Sequence, residues 1–333
     1  MAAQPVIDDF VERLTASPRP AWPLAFARIS IGLILIAWTV TWMFDASTLL
    51  SPTGPVGVDA ASDDFRWIPL ESMAGAWFAL IALLICAIAI VVGWRPTIWL
   101  LVAFVLLVSI QRRDPVVLNS GDLILRNLTL LLALTPTGAA LSVDRWRAHG
   151  RSALRTSPLV APWGMRLVQL QIMVVYLFAF LGKRGDTWWD GTAVSTALRL
   201  EDLERFPAPE PFISNVTIVA ALTWGTLIVE LALGTLLWAR RLRPLLIALA
   251  VLLHIGVDMF LLVGFFGVTM IAGLTTFLDA DWIDRRIRRR WPTDTDAESV
   301  ASTDPPTTEH ATDDDGDRSD EEAADADLAA HRT

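Results

Sequence analysis

Apolar residues along this chain gather into eight blocks, at about 24–43, 74–93, 97–111, 122–140, 163–182, 216–238, 244–262 and 264–280, with few charges inside them. A hydrocarbon layer about 30 Å thick takes ~20 helical residues to cross. Water-soluble chains rarely tolerate even two such blocks. The pattern predicts an all-α integral membrane protein with about eight transmembrane helices. The third and eighth blocks are short, and a Gly-Phe-Phe-Gly turn joins the last two. The blocks divide the chain into an N-terminal segment at 1–22, a transmembrane domain at 23–281, a basic interfacial helix at 282–291 and a tail at 292–333.

Charge gives these spans a direction. The chain carries a net −9, yet the tail alone holds fourteen Asp or Glu against two Arg, so the acidity belongs to residues 292–333. That Ser/Thr/Pro/Asp/Ala-rich stretch has no apolar periodicity and is expected to be disordered. With the N-terminus inside, the cytoplasmic segments gather Arg13, Arg19, Arg95, Arg145, Arg147, Arg151, Arg155, Arg240, Arg241, Arg243, Arg285, Arg286, Arg288, Arg289 and Arg290. The opposite loops hold Arg66, Arg112, Arg113, Lys183, Arg184, Arg199 and Arg205. Fifteen cations against seven predict an N-in, C-in, multi-pass protein of the cytoplasmic membrane, with its tail in the cytoplasm. Residues Trp282–Trp291 (WIDRRIRRRW) read as a surface helix whose tryptophans sit at headgroup level and whose arginines meet anionic lipid. Residues 5–14 read as a second, shorter interfacial helix, and no cleavable signal peptide is expected before the first span.

Several chemistries are not expected. Cys86 is the single cysteine, which leaves no intrachain disulfide and no thiolate metal cluster. Of the histidines only His254 falls within a span; His149, His310 and His331 do not, so no metal site is expected. No dinucleotide fingerprint, phosphate loop or zinc spacing occurs, and nothing points to a nucleic-acid partner.

Ionisable residues at membrane depth are costly unless paired or hydrated, which makes each a candidate for function. They are Arg28, Asp122, Arg126, Arg166, Lys183, Glu230, His254 and Asp258. Asp122 and Arg126 are spaced to pair on one helical face. His254 and Asp258 repeat that spacing, so the aspartate is expected to orient the imidazole. Glu230 lies near mid-depth in the sixth span, with Arg28 or Arg166 as partners. Each pair has a purely structural alternative, a salt bridge locking the bundle.

Lys183 is the only lysine, against twenty-six arginines. It ends the fifth span and opens a tryptophan-rich turn with Arg184, Asp186, Trp188, Trp189 and Asp190. Lysine gives up its proton when desolvated and arginine does not. Low dielectric and Arg184 favour the neutral amine here, while Asp186 or Asp190 favours the cation. Two readings follow: a general base acting on a membrane-borne acid such as a quinol hydroxyl, or a cation snorkelling to the headgroups.

The stretch from Tyr176 to Ala193 places Trp188 five residues after Lys183, then Asp190 and Gly191 at seven and eight. With Leu24–Leu35, Asn119–Leu132, Leu141–Asp144, the Glu230 region and His254–Gly267, it resembles the HTTM family. That is the horizontally transferred transmembrane domain related to the membrane part of vitamin K-dependent γ-glutamyl carboxylase. The resemblance covers about 20–280. It implies that Lys183 matches the lysine taken to deprotonate reduced vitamin K, on the lumenal side, with a menaquinone- or vitamin K-like quinol as the molecule acted on. The departures are a missing β-rich lumenal domain, Arg184 at a second lysine-type position, and no match to the His-bearing substrate region. Glutamate carboxylation is therefore not expected, which leaves a quinol-directed oxygenase or epoxidase half-reaction.

Three functions follow. The first is a quinone-directed membrane enzyme, with Lys183 as base, Asp186, Asp190 and His254 assisting, and Tyr176, Trp188, Trp189, Glu230 and Asp258 lining the lipid site. The second is a non-catalytic maturation or partner factor for a secreted peptide or membrane protein. The third is a proton-coupled transporter using Glu230, His254 and Asp258. In all three the bilayer and its anionic headgroups are the immediate partner.

Overall fold

The computed structural model describes residues 17–51, 72–113 and 117–291. The expected interfacial helix at 5–14 and the acidic tail at 292–333 lie outside the described residues. Nine principal helices follow in order: α1 Trp22–Phe44, α2 Met73–Val92, α3 Pro96–Arg113, α4 Ser120–Ala133, α5 Trp163–Gly182, α6 Val216–Leu236, α7 Arg243–Phe260, α8 Phe266–Leu274 and α9 Ala280–Arg290.

Local chemistry sets the ends. Proline occupies the first turn of α1 and α7 and the first position of α3, where its missing N–H costs nothing. Ser72, Asn215 and Asp279 accept backbone N–H groups at the starts of α2, α6 and α9. Gly93 closes α2 at φ +74, a left-handed conformation that a side chain disfavours.

Among the described residues six helices, α1, α2, α3, α5, α6 and α7, are long and apolar enough to cross a bilayer, and the protein is a multi-pass membrane protein. The other two expected spans are shorter than the sequence pattern implies. In place of 122–140, α4 ends at Ala133, because Pro136 follows and the chain turns through a 3-10 segment at Thr137–Ala139. In place of 264–280, α8 covers nine residues before a 3-10 turn at Thr275–Phe277. Their lengths, about 21 and 14 Å, fall short of the hydrocarbon thickness.

The two short helices meet. The backbone of Gly121 near the start of α4 lies against the backbone of Phe266 at the start of α8. α8 then packs on α1, α4, α5 and α7, so the shortest helix fills the centre of the bundle. Its turn from α7 is covered by the segment after α5, where Arg205 N donates to Phe260 O at 3.0 Å and Leu262 N to Leu203 O at 2.7 Å. Non-helical backbone thus finds partners inside the protein, as a lipid-immersed chain requires.

The expected Asp122–Arg126 pair is not formed. Asp122 sits at the third position of α4 and closes a capping box with Asn119, which turns its carboxylate back toward the helix start. There it also accepts the Trp38 indole N–H at 2.7 Å, and Arg126 turns to Gln111 Oε1 at 3.2 Å. Trp38→Phe, which removes the donor together with part of a fully buried ring stacked on Trp42, is expected to lower stability by at least about 1–3 kcal/mol in detergent unfolding. An unchanged transition would show that the bond contributes nothing. Arg28 is likewise structural: buried in α1, it donates to the carbonyls of Thr137, Ala140 and Leu141 and so pins the turn after α4.

The segment expected to form a basic surface helix is helical, as α9. Trp22 of α1 donates to Asp284 at 2.9 Å and ties α9 to the bundle.

Candidate functional site

Helices α5 and α6 pack side by side, and their close approach is set by Gly234. A Cβ at that position would stand 2.9 Å from the backbone N and Cα of Leu177. One turn along α6 toward the end of α5, Glu230 comes level with Lys183. Lys183 is the residue that ends α5, and its ammonium donates to Glu230 Oε1 at 2.8 Å and to the Ala179 carbonyl at 3.3 Å. The Trp188 ring covers the ammonium at 5.0 Å from its centroid. Only 19% of the lysine side chain and 10% of the glutamate side chain are exposed. Glu230 therefore pairs with Lys183, and neither of its expected partners reaches it. Arg28 is committed to carbonyls, while Arg166 bonds Gln169 and lies over Trp238.

The second carboxylate oxygen, Glu230 Oε2, is buried with no hydrogen-bond partner among the described residues. Such an atom is costly to bury unless something donates to it. It marks where a ligand hydroxyl or a water fits best.

Two turns inward along α5, Tyr176 lies on the same face as Lys183. Its hydroxyl shares a 2.8 Å hydrogen bond with His254 Nε2 of α7, and both residues are buried. The imidazole also meets the edge of Phe266 at 5.5 Å between centroids. The group that orients His254 is therefore Tyr176, and the expected Asp258 contact is not made. Asp258 faces Gly267 across the α7–α8 turn, where a Cβ on the glycine would collide with its carboxylate, and Asp258 Oδ1 is buried with no hydrogen-bond partner among the described residues.

The remaining residues of the tryptophan-rich turn stand further out. Asp186 and Asp190 are exposed in and just after the short helix Asp186–Trp189, and the carboxylate on the amine is that of Glu230. Trp189 is half exposed and meets the edge of Trp224 at 5.6 Å. Lys183, Glu230, Tyr176 and His254 each stand out in the sequence one by one, and only the fold shows which of them pair. The sequence does not single out Phe266 beside the imidazole. No metal-binding group of His, Cys, Asp or Glu occurs among the described residues.

The arrangement is a cation–carboxylate pair at one end of α5, a tyrosine–histidine pair beneath it, and a tryptophan over the amine. It offers a proton donor and acceptor in hydrogen-bond contact beside an aromatic surface. A family model for the HTTM domain matches residues 17–282. No curated protein and no solved structure matches the chain.

Proposed function

The chain belongs to the HTTM family, and from that premise we propose that it acts on a quinone-like lipid at the Lys183–Glu230 pair. The observation that carries this reading is the 2.8 Å contact between the only lysine and a buried carboxylate whose second oxygen has no partner among the described residues. An ammonium cannot accept a proton. A lysine that has passed its proton to Glu230 across that hydrogen bond can. The transfer turns an ion pair into a neutral amine and a neutral acid, which low dielectric favours over separated charges. The amine then takes the proton of a quinol hydroxyl, and the resulting anion faces an ammonium held beneath Trp188. Tyr176 and His254 orient the head group from below. The aromatic faces of Trp188 and Trp189 provide its apolar edge, at the outer face of the cytoplasmic membrane.

The reading is tested with full-length protein in aerated nanodiscs loaded with menaquinol, where dioxygen is the oxidant that takes the quinolate's electrons, following loss of the quinol by absorbance. Wild-type protein should consume it faster than empty discs, and Tyr176→Phe should lower that rate about tenfold by freeing the imidazole. Discs with and without protein losing quinol at one rate would remove the enzyme reading. It would leave the non-catalytic partner reading, in which Lys183→Arg preserves function in cells.

A further inference from the structure

At the end of the bundle opposite Lys183, four arginines from three separate regions of the chain line one cleft. Arg19 precedes α1, Arg166 is in the first turn of α5, and Arg240 and Arg243 come from the α6–α7 turn. Arg166 and Lys183 share α5 and stand about 25 Å apart along it. The positive charges of Arg19, Arg243 and Arg240 all act on Arg166. Two carboxylates offset part of this charge: Asp279 lines the cleft itself and acts on Arg243, and Asp281 lies 3.8 Å from Arg19. Two of the four cations remain in excess.

Gathering like charges beside an apolar bundle is unfavourable unless an anion compensates them. The hydrogen bonds present do not do so. Arg243 donates to the carbonyls of Leu237, Phe277 and Trp238, and Arg166 to the neutral Gln169 amide. The Nε atoms of both Arg19 and Arg166 are buried with no partner among the described residues. Two independent donors are therefore left over in one cleft.

The cleft measures about 30 Å³, room for roughly one or two oxygen-sized groups. Planar guanidinium forks pair bidentately with phosphoryl or carboxylate oxygens, and a phosphodiester presents two such oxygens to a space of that size. Leu278, which lines the cleft, is an exposed apolar residue, as are Leu242 next to Arg243 in the chain and Trp282 on α9, and α9 carries its own arginines. A soluble anion gains nothing from such apolar side chains, whereas a lipid chain does.

We propose that the Arg19–Arg166–Arg240–Arg243 cleft binds the phosphate group of an anionic phospholipid headgroup, with the acyl chains along the flank of α9 and the α6–α7 turn. The bound phosphate takes the two orphaned N–H donors, and the lipid ties α1, α5 and α7 together at this end of the bundle.

Native mass spectrometry of the full-length protein, with phosphatidylglycerol, phosphatidylcholine or inorganic phosphate added in turn, tests this. Wild-type protein should retain one phosphatidylglycerol, with phosphatidylcholine and inorganic phosphate retained at least tenfold more weakly. Arg166→Gln combined with Arg240→Gln should weaken phosphatidylglycerol binding tenfold or more. Should that double variant not fold, Arg240→Gln alone serves, because Arg240 is exposed. Arg285→Gln, Arg286→Gln and Arg289→Gln together should leave the bound lipid in place. The proposal is overturned if the cleft variants hold phosphatidylglycerol as wild type does. It is equally overturned if only the α9 variant releases the lipid, or if inorganic phosphate binds as tightly as the lipid.

Discussion

Lys183→Arg should preserve the stability of the protein to within about 1 kcal/mol and lower quinol turnover by about 10²- to 10⁴-fold. A guanidinium keeps the charge that Glu230 needs but does not release a proton at any ordinary pH. Lys183→Met separates the two roles from the other side. It leaves Glu230 without its cation in a site where little of either side chain meets solvent, and breaking such a pair from one side costs about 3–5 kcal/mol. The companion change Glu230→Leu should recover most of that loss, since both charges are then gone and only packing remains. Thermal unfolding in micelles reads the stability, and quinol absorbance reads the turnover. A Lys183→Arg protein with wild-type turnover would end the proton-transfer reading while leaving the ion pair as a structural lock.

The second large effect belongs to Gly234. Gly234→Val puts a branched side chain where a Cβ already stands 2.9 Å from the backbone of Leu177, so α5 and α6 must move apart. Overpacking of this kind costs about 1–3 kcal/mol. Because Glu230 is one turn away on the same helix, the 2.8 Å contact with Lys183 should lengthen as well. Any Lys183-dependent turnover should then fall together with stability. Leu177→Ala should not rescue the variant, because the clash is with backbone. At Gly273 the obstacle is the Ile172 side chain, so there Gly273→Ala should be rescued by Ile172→Ala. Rescue at both positions, or at neither, would contradict the close-approach argument.

These residues also show what could be read from the chain before its structure. The hydrophobic blocks at 24–43, 74–93, 163–182, 216–238 and 244–262 identified α1, α2, α5, α6 and α7 directly, because a helix satisfies its own backbone in lipid. The equally long block at 122–140 is cut short by Pro136. The lone lysine was legible as an exception to the chain's use of arginine. Its partner was not, since the register of α5 against α6 depends on where Gly234 meets Leu177, and a single sequence carries no measure of that. Helical spacing misled twice. Asp122 and Arg126 do share a face, but Asp122 is used at once by the helix start. His254 and Asp258 also share a spacing, yet Tyr176 on α5 takes the imidazole and the α7–α8 turn takes the aspartate. One correction was available in the sequence: Asn119 three residues before Asp122, with Pro136 downstream, is the signature of a helix that starts at Ser120 and stops well before 140. The arginine cleft was invisible for a different reason. Counting cations by side of the membrane scatters Arg19, Arg240 and Arg243 among the cytoplasmic segments and leaves Arg166 inside a span, and only the fold brings the four together.

The placement of α8 has a consequence for how the protein is made. A nine-residue apolar helix is too short to be held by a bilayer alone, so the insertion machinery has no span to release into lipid at this point. Its partners on α1, α4, α5 and α7 must already stand in the membrane to receive it. This late-synthesised helix therefore enters the bundle by docking rather than by partitioning. A ribosome stalled before Phe266 would leave a membrane protein with most of its helices in place and an unfilled centre.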